Sequence, residues 1–325
     1  MSEGAALYLR RLWEAWSRSP AELAVCLGFF LLLVGLTLLR RGRSGWTLGA
    51  TLGALSSLAL LHLNYLVLPL LGLVVDALQA AHDALGLPRV PGALWEALPG
   101  WAVALVGLLA FDCANYWNHR LLHTRALWPV HAVHHSDTDP TGLSAFRVHA
   151  LERLVMLCSY VVLLGWLNLP PGALGILVLV RVLHTMYVHA DLDWAHGPLE
   201  LLIASPRFHR WHHADVPEAH GKNLASLMPL FDRLFGTWHC PGPCRAPVGA
   251  AGVPAHDPFK LCLWPLVAWS RELRAAAGFL GRRLQAARGA VLPAARHVLA
   301  PAVLDQRPLG LAAGADDPGR VAIDQ

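Results

Sequence analysis

The sequence predicts an all-α integral membrane protein with about four transmembrane helices, two of them plain spans and the rest helical hairpins, capped by helices on the cytoplasmic face. Three observations carry this. Of 325 residues, 55% are hydrophobic and only 15% charged, with mean hydropathy +0.43, outside the usual range of a soluble domain. The apolar residues gather into runs of membrane-crossing length. The histidines, 18 in all, concentrate beyond those runs rather than within them.

In chain order, residues 5–16 alternate apolar and charged positions at roughly helical spacing, with Trp13 and Trp16, and suit a helix lying at the membrane surface. No short apolar run ends at a small-residue cleavage site, so no cleaved signal peptide is expected. Residues 21–39 form an apolar run long enough to span, followed at once by Arg40, Arg41 and Arg43. A second run over residues 46–68 ends at Pro69. Residues 72–99 hold Asp76, Asp83, Arg89 and Glu96 among several Pro and Gly, and read as an acidic loop or a partly embedded segment. A third span over residues 100–117 delivers the chain to His119. Residues 151–169 and 172–188, broken by Pro170-Pro171, read as a tight hairpin that enters and leaves by one face. After Thr237 come a Pro/Gly-rich linker, a short apolar stretch over 258–268 and an Arg-rich amphipathic helix over 270–300. The last twenty or so residues read as disordered. With the Arg40, Arg41 and Arg43 cluster in the cytoplasm, span parity brings every histidine block to that same side.

The blocks themselves have a chemical pattern. His119 and His123 are four apart, His131, His134 and His135 form HxxHH, and the same motif returns at His209, His212 and His213. One HxxHH is expected by chance only about 0.05 times in a chain of this composition. Positions i, i+3 and i+4 share a helix face, so each block can aim several imidazoles at one point. Neutral imidazole is a favoured ligand for zinc, copper, iron and nickel. Buried together without a cation, so many rings would be costly. Eight histidines exceed the needs of one ion, and two neighbouring ions would use them. Asp112 shares a helical stripe with Asn115, His119 and His123. It either accepts a ring N–H from a ligand or pairs with Arg120 or Arg125.

Other chemistries find no support. There is no HExxH for a metalloprotease and no GxSxG elbow. The formal charge of +4 comes without a basic and aromatic pattern for nucleic acid. Cys26, Cys113 and Cys158 read as small core residues, and Cys240 and Cys244, separated by Pro-Gly-Pro, as flanking a turn.

The segments DCANYWNHRLLH, WPVHAVHHS, FRVHALE with Arg147, His149 and Glu152, MYVHADL, GPLELLIASPRFHRWHHA and KNLASLMPLFDRLFGTW together resemble the fatty acid hydroxylase/sterol desaturase superfamily over roughly residues 100–240. The resemblance implies a dinuclear iron centre, O2 as co-substrate, and hydroxylation, desaturation or ether cleavage of a membrane lipid. By position it implies His119, His123, His131, His134, His135, His189, His209, His212 and His213 as metal ligands, with His184, Asp112 and Asn223 as possible further or supporting residues. Iron rather than zinc rests on the resemblance, since imidazole spacing admits both. An external donor must supply electrons, because there is no GxGxxG fingerprint and no cysteine set for an iron–sulfur cluster. The chain then divides into N-terminal membrane helices and loop (1–99), a catalytic region (100–240), linker and amphipathic helix (241–300) and tail (301–325). The competing reading is a His-rich metal transporter or haem-binding membrane protein, which would place such residues inside its spans.

Overall fold

The computed structural model describes residues 3–298, and the expected disordered tail lies outside them. Regular structure among the described residues is helical throughout, apart from one isolated antiparallel bridge between Ala214 and Val248. Four helical segments are long and apolar enough to cross a membrane: Leu23–Gly45, Leu48–Ala84, Ala150–Leu167 and Pro171–His189.

The first two helices are longer than the sequence led us to expect. Helix α1 (Glu3–Arg41) runs without a break through Pro20, so the expected surface helix and first span are one element. Helix α2 (Leu48–Ala84) starts at Thr47, whose side chain accepts from the Ala50 amide at 2.9 Å, and continues through Pro69. The loop expected from residue 72 therefore begins only at Leu85. Proline removes one helical hydrogen bond, but apolar and helix-forming residues on both sides, and neighbours packed along the helix, carry the chain through. Tyr8 Oη donates to the Leu66 carbonyl at 2.8 Å and Arg11 pairs with Asp76, binding the early part of α1 to the later part of α2. Gly86, at φ +60°, turns the chain toward α3 (Gly92–Glu96), which Trp95 pins by donating to the Leu167 carbonyl at 2.9 Å.

Helix α4 (Gly100–Leu122) occupies the place of the expected third span but is not among the four span candidates. Asp112, Asn115 and Asn118 lower its apolar content, and all three are buried against protein. The hairpin forms as expected, from α6 (Ala150–Leu167), a left-handed turn at Asn168 with φ +50°, and α7 (Pro171–His189). Helix α4 packs against both arms, and Gly107 lets it approach closely: a Cβ there would lie 2.7 Å from Leu177. Helix α6 also packs along α2, whereas α6 and α7 make little contact with each other.

Beyond the ends of α4 and α7 sits the cap: α5 (Trp128–His135), α8 (Pro206–His212), α9 (Leu230–Leu234) and the segments joining them. Residues 241–257 form no helix and fold back onto α8. The Asp215 amide donates to the Pro247 carbonyl at 2.9 Å, and the Gly249 amide to that of His213 at 3.2 Å. The two stretches expected after residue 257 form one helix, α10 (Pro258–Val298). By compactness the chain divides into residues 1–270 and 271–325. Within the first, Leu261 is buried with Leu60 of α2 and Val133 of α5.

Candidate metal centre

Helices α5 and α8 of the cap are held so that their histidines face inward. Ser205 caps α8 by accepting from the Phe208 amide at 3.1 Å, and Pro206 follows as the first helical residue, where its missing N–H costs nothing. Helix α5 is buried along nearly its whole length. The backbone at Arg147 and at Leu224 lies against the rings of His134 and His119.

The nine histidines expected as ligands fall into two groups. His119, His123, His131, His135 and His212 form one; His134, His189, His209 and His213 form the other. In each, one ring nitrogen per residue lies within 4.8 Å of all the others. The HxxHH blocks are thus shared: α5 sends His131 and His135 to one group and His134 to the other, and α8 divides His212 from His209 and His213.

The tautomers follow from the surroundings. Nδ1 of His119, His134, His189 and His212 each faces a backbone carbonyl, of Leu224 (2.7 Å), Arg147 (3.2 Å), Thr185 (2.7 Å) and Lys222 (2.8 Å) respectively. A carbonyl only accepts, so each Nδ1 carries the proton and each Nε2 presents a lone pair. Glu152 Oε1 lies 3.1 Å from Nδ1 of His131, in ion-pair range though off the line of a hydrogen bond. The Nε2 atoms meet at 2.9 Å (His119–His131), 3.2 Å (His134–His189), 3.0 Å (His189–His209) and 3.1 Å (His209–His213). Nitrogens about 2.0–2.1 Å from one ion stand roughly 2.9 Å apart at right angles and about 3.4 Å apart at tetrahedral angles. Nε2 of His123, His135 and His212 is buried without a hydrogen-bond partner among the described residues. The donor set, its spacing and its orphaned nitrogens all fit metal ions.

Burial, and then the neighbouring rings, hold His131, His134, His135, His209, His212 and His213 well below the usual imidazole range. They are neutral near pH 7, the form that binds metal.

Supporting residues depart from expectation in places. Asp112 neither touches a ligand ring nor pairs with Arg120 or Arg125: it accepts from the amides of Leu227 (2.9 Å) and Met228 (2.7 Å). Its carboxylate anchors the segment whose Leu224 carbonyl orients His119. Asn223, with φ +56°, donates to the carbonyls of Phe208 (2.8 Å) and His239 (2.6 Å) and braces the end of α8. His184 stands outside both groups, with Nε2 3.1 Å from the Ala204 carbonyl. Two further residues, to which the sequence assigns no role, support the site. Glu152 stands against His131. Arg147, fully buried, reaches Ser57, Ser136 and the carbonyls of Gly53 and Ala255, and lies 3.4 Å from Asp137.

Two cavities reach the histidines from different sides. The larger, about 560 Å³, has His119, His131, His134, His189 and His209 in its wall and is otherwise lined mainly by apolar residues of α2, α6 and α7. The smaller, about 340 Å³, has His123, His135 and His212 in its wall with Trp128, Asp215 and His220.

The model of the fatty acid hydroxylase family matches residues 104–237, the stretch that supplies all nine rings. Over that stretch the chain is similar to the fatty acid hydroxylase family. Among curated relatives it is 32% identical over 145 residues to the alkylglycerol monooxygenase of Danio rerio (44% of this chain, 31% of that protein). It is 30% identical over 157 residues to the ornithine lipid hydroxylase OlsE of Rhizobium tropici (47% of each). It is 34% identical over 163 residues to methylsterol monooxygenase 1 of Gallus gallus (44% and 49%). The chain thus spans from 31% to 49% of these relatives' lengths. No solved structure matches it. Within the fatty acid hydroxylase family match, the histidines are separated by up to 94 residues, and the fold gathers them into two adjoining groups.

Proposed function

We propose that this protein is a membrane-bound diiron, O2-dependent oxidoreductase that hydroxylates or desaturates a lipid, with the nine histidines as iron ligands. The observation that carries the reading is the pairing of His134 and His189, whose proton-bearing Nδ1 atoms face carbonyls while their Nε2 lone pairs point at each other across 3.2 Å. Two irons held in these groups would supply, with O2 and electrons, an oxidant strong enough for an unactivated C–H bond. The relatives named above as monooxygenases and a hydroxylase of lipids support this chemistry over a transporter or haem protein.

The chain's own residues do the rest. The apolar walls of the larger cavity, contributed by the membrane helices α2, α6 and α7, bind an alkyl or ring system and exclude water from it. The carbonyls of Leu224, Arg147, Thr185 and Lys222 keep each ring in the ligating tautomer. The smaller cavity, bordered by Asp215 and His220, is the polar approach for protons, and a separate redox protein supplies electrons from that side. We place the centre at the cytoplasmic face: Arg41, of the basic cluster that closes the first span, pairs with Asp191, two residues beyond His189, and basic clusters favour the cytoplasm.

Comparative lipidomics of cells with and without the protein tests the assignment. A lipid gaining one oxygen or losing two hydrogens only when the wild type is present, and absent with His135→Ala or His212→Ala, is the expected result. Unchanged oxidation in those variants would overturn it.

A further inference from the structure

The larger cavity contains a polar station that metal binding does not use. Arg181, on α7, donates through Nη2 to Asn115 Oδ1 at 3.0 Å, and the Tyr160 hydroxyl donates to the same oxygen at 2.7 Å. The guanidinium lies 3.8 Å over the ring of Phe111, which stacks on Tyr160 at 4.2 Å. Its Nε is buried with no hydrogen-bond partner among the described residues, and the same holds for Nε of Arg153 on α6. Both arginines line the cavity. Neither has a carboxylate within ion-pairing distance among the described residues. Asp112, whose field reaches Arg181, has its two oxygens on backbone amides, and Glu152, whose field reaches Arg153, turns Oε1 to His131, so each arginine feels a carboxylate only at a distance.

Two cations in an apolar cavity between membrane helices are costly unless something answers their charge. Phe111, Tyr160 and Asn115 offer only neutral partners. We infer that Arg181 and Arg153 bind an acidic group, carboxylate or phosphate, on the lipid that enters this cavity, and that Tyr160 and Asn115 hold Arg181 in place for it. Arg181 lies eight residues before His189 on one helix, about 12 Å along its axis, so a group bound there stands clear of the metal ligands. Calling this lipid the substrate rests on the proposed oxidation; its binding does not.

The test uses purified full-length protein in neutral detergent, with displacement of a fluorescent fatty acid read out. Palmitate and a monoacylglycerol phosphate are the acidic probes, and methyl palmitate and monopalmitoylglycerol their neutral counterparts. The wild type should bind at least one acid about tenfold or more tighter than its neutral partner, and the tighter of the two acids names the source of the charge. Arg181→Gln and Arg153→Gln should each cut that preference to about threefold or less, whereas Arg181→Lys should retain part of it. A merely structural brace between α4 and α7 would leave the preference unmoved in every variant that folds. Equal binding of acids and neutral analogues by the wild type overturns the inference, whatever the variants do. Iron content measured on the same samples separates the two ideas: a wild type that holds iron but shows no charge preference refutes this station alone, and a wild type that shows the preference but holds no iron refutes the diiron reading alone.

Discussion

His134 and His189 approach Nε2 to Nε2 at 3.2 Å, and each has its other ring nitrogen on a backbone carbonyl, Arg147 for the first and Thr185 for the second. Two lone pairs cannot face each other at that range in a dry interior without a cation between or beside them. The pair belongs to the four-ring group, and His119 with His131, at 2.9 Å, is its counterpart in the five-ring group.

Substitution should therefore act on one group at a time. His189→Ala is expected to lower bound metal from about two ions per chain to about one, and His123→Ala to do the same through the other group, with lipid oxidation lost in both. Elemental analysis of purified variants checks this; an unchanged count in either would remove that ring from the ligand set.

Glu152 approaches the far nitrogen of His131 at 3.1 Å. Carboxylates behind a ligating imidazole fix its orientation and raise its basicity, and losing one typically costs 10–100-fold in metal affinity. Glu152→Gln should show a loss of about that size in chelator competition, with helix content unchanged by circular dichroism. Affinity equal to wild type would make the contact incidental.

Acid should destabilise the metal-free protein. Burial holds the rings of α5 and α8 below the usual imidazole pKa of 6.5 in the folded state, so below that pH the unfolded chain binds more protons than the folded one. Stability then falls as pH falls, by up to roughly 1.4 kcal/mol per pH unit for each such ring. The thermal midpoint of chelator-treated protein should drop between pH 7.5 and 5.5, and metal retention should fall over the same window. A midpoint that is flat or rises toward acid would contradict the neutral-imidazole assignment.

Helix α2 passes Asp137 with no room to spare. A Cβ on Gly53 would lie 2.7 Å from Asp137 Oδ1, and Asp137 is buried between Ser144 and Arg147. Gly53→Ala should cost about 1–3 kcal/mol, as overpacking does, seen as a lower thermal midpoint. Because Arg147 supplies the carbonyl that orients His134, metal affinity should weaken too.

The sequence made the site more legible than its scaffold. His131, His134 and His135, and later His209, His212 and His213, are written as short motifs, and four-residue spacing on a helix does most of the gathering. The supporting contacts are long-range. Asp112 meets amides 115 and 116 residues away, and Arg147 meets Gly53 and Ala255. No local pattern announces such partners. Pro69 misled for another reason: proline ends helices in water, but a helix among apolar neighbours tolerates it because its surroundings make good the lost hydrogen bond. Glu152 and Arg147 sit at the margin of an apolar run, where a charge reads equally well as a membrane boundary.

Iron analysis of the full-length protein purified from iron-supplemented cells tests the central claim most directly. Two histidine groups of this geometry predict about two irons per chain, both released by a chelator at pH 5.5. Protein with native helix content and at most trace iron, or with a single ion that no histidine substitution displaces, would contradict it.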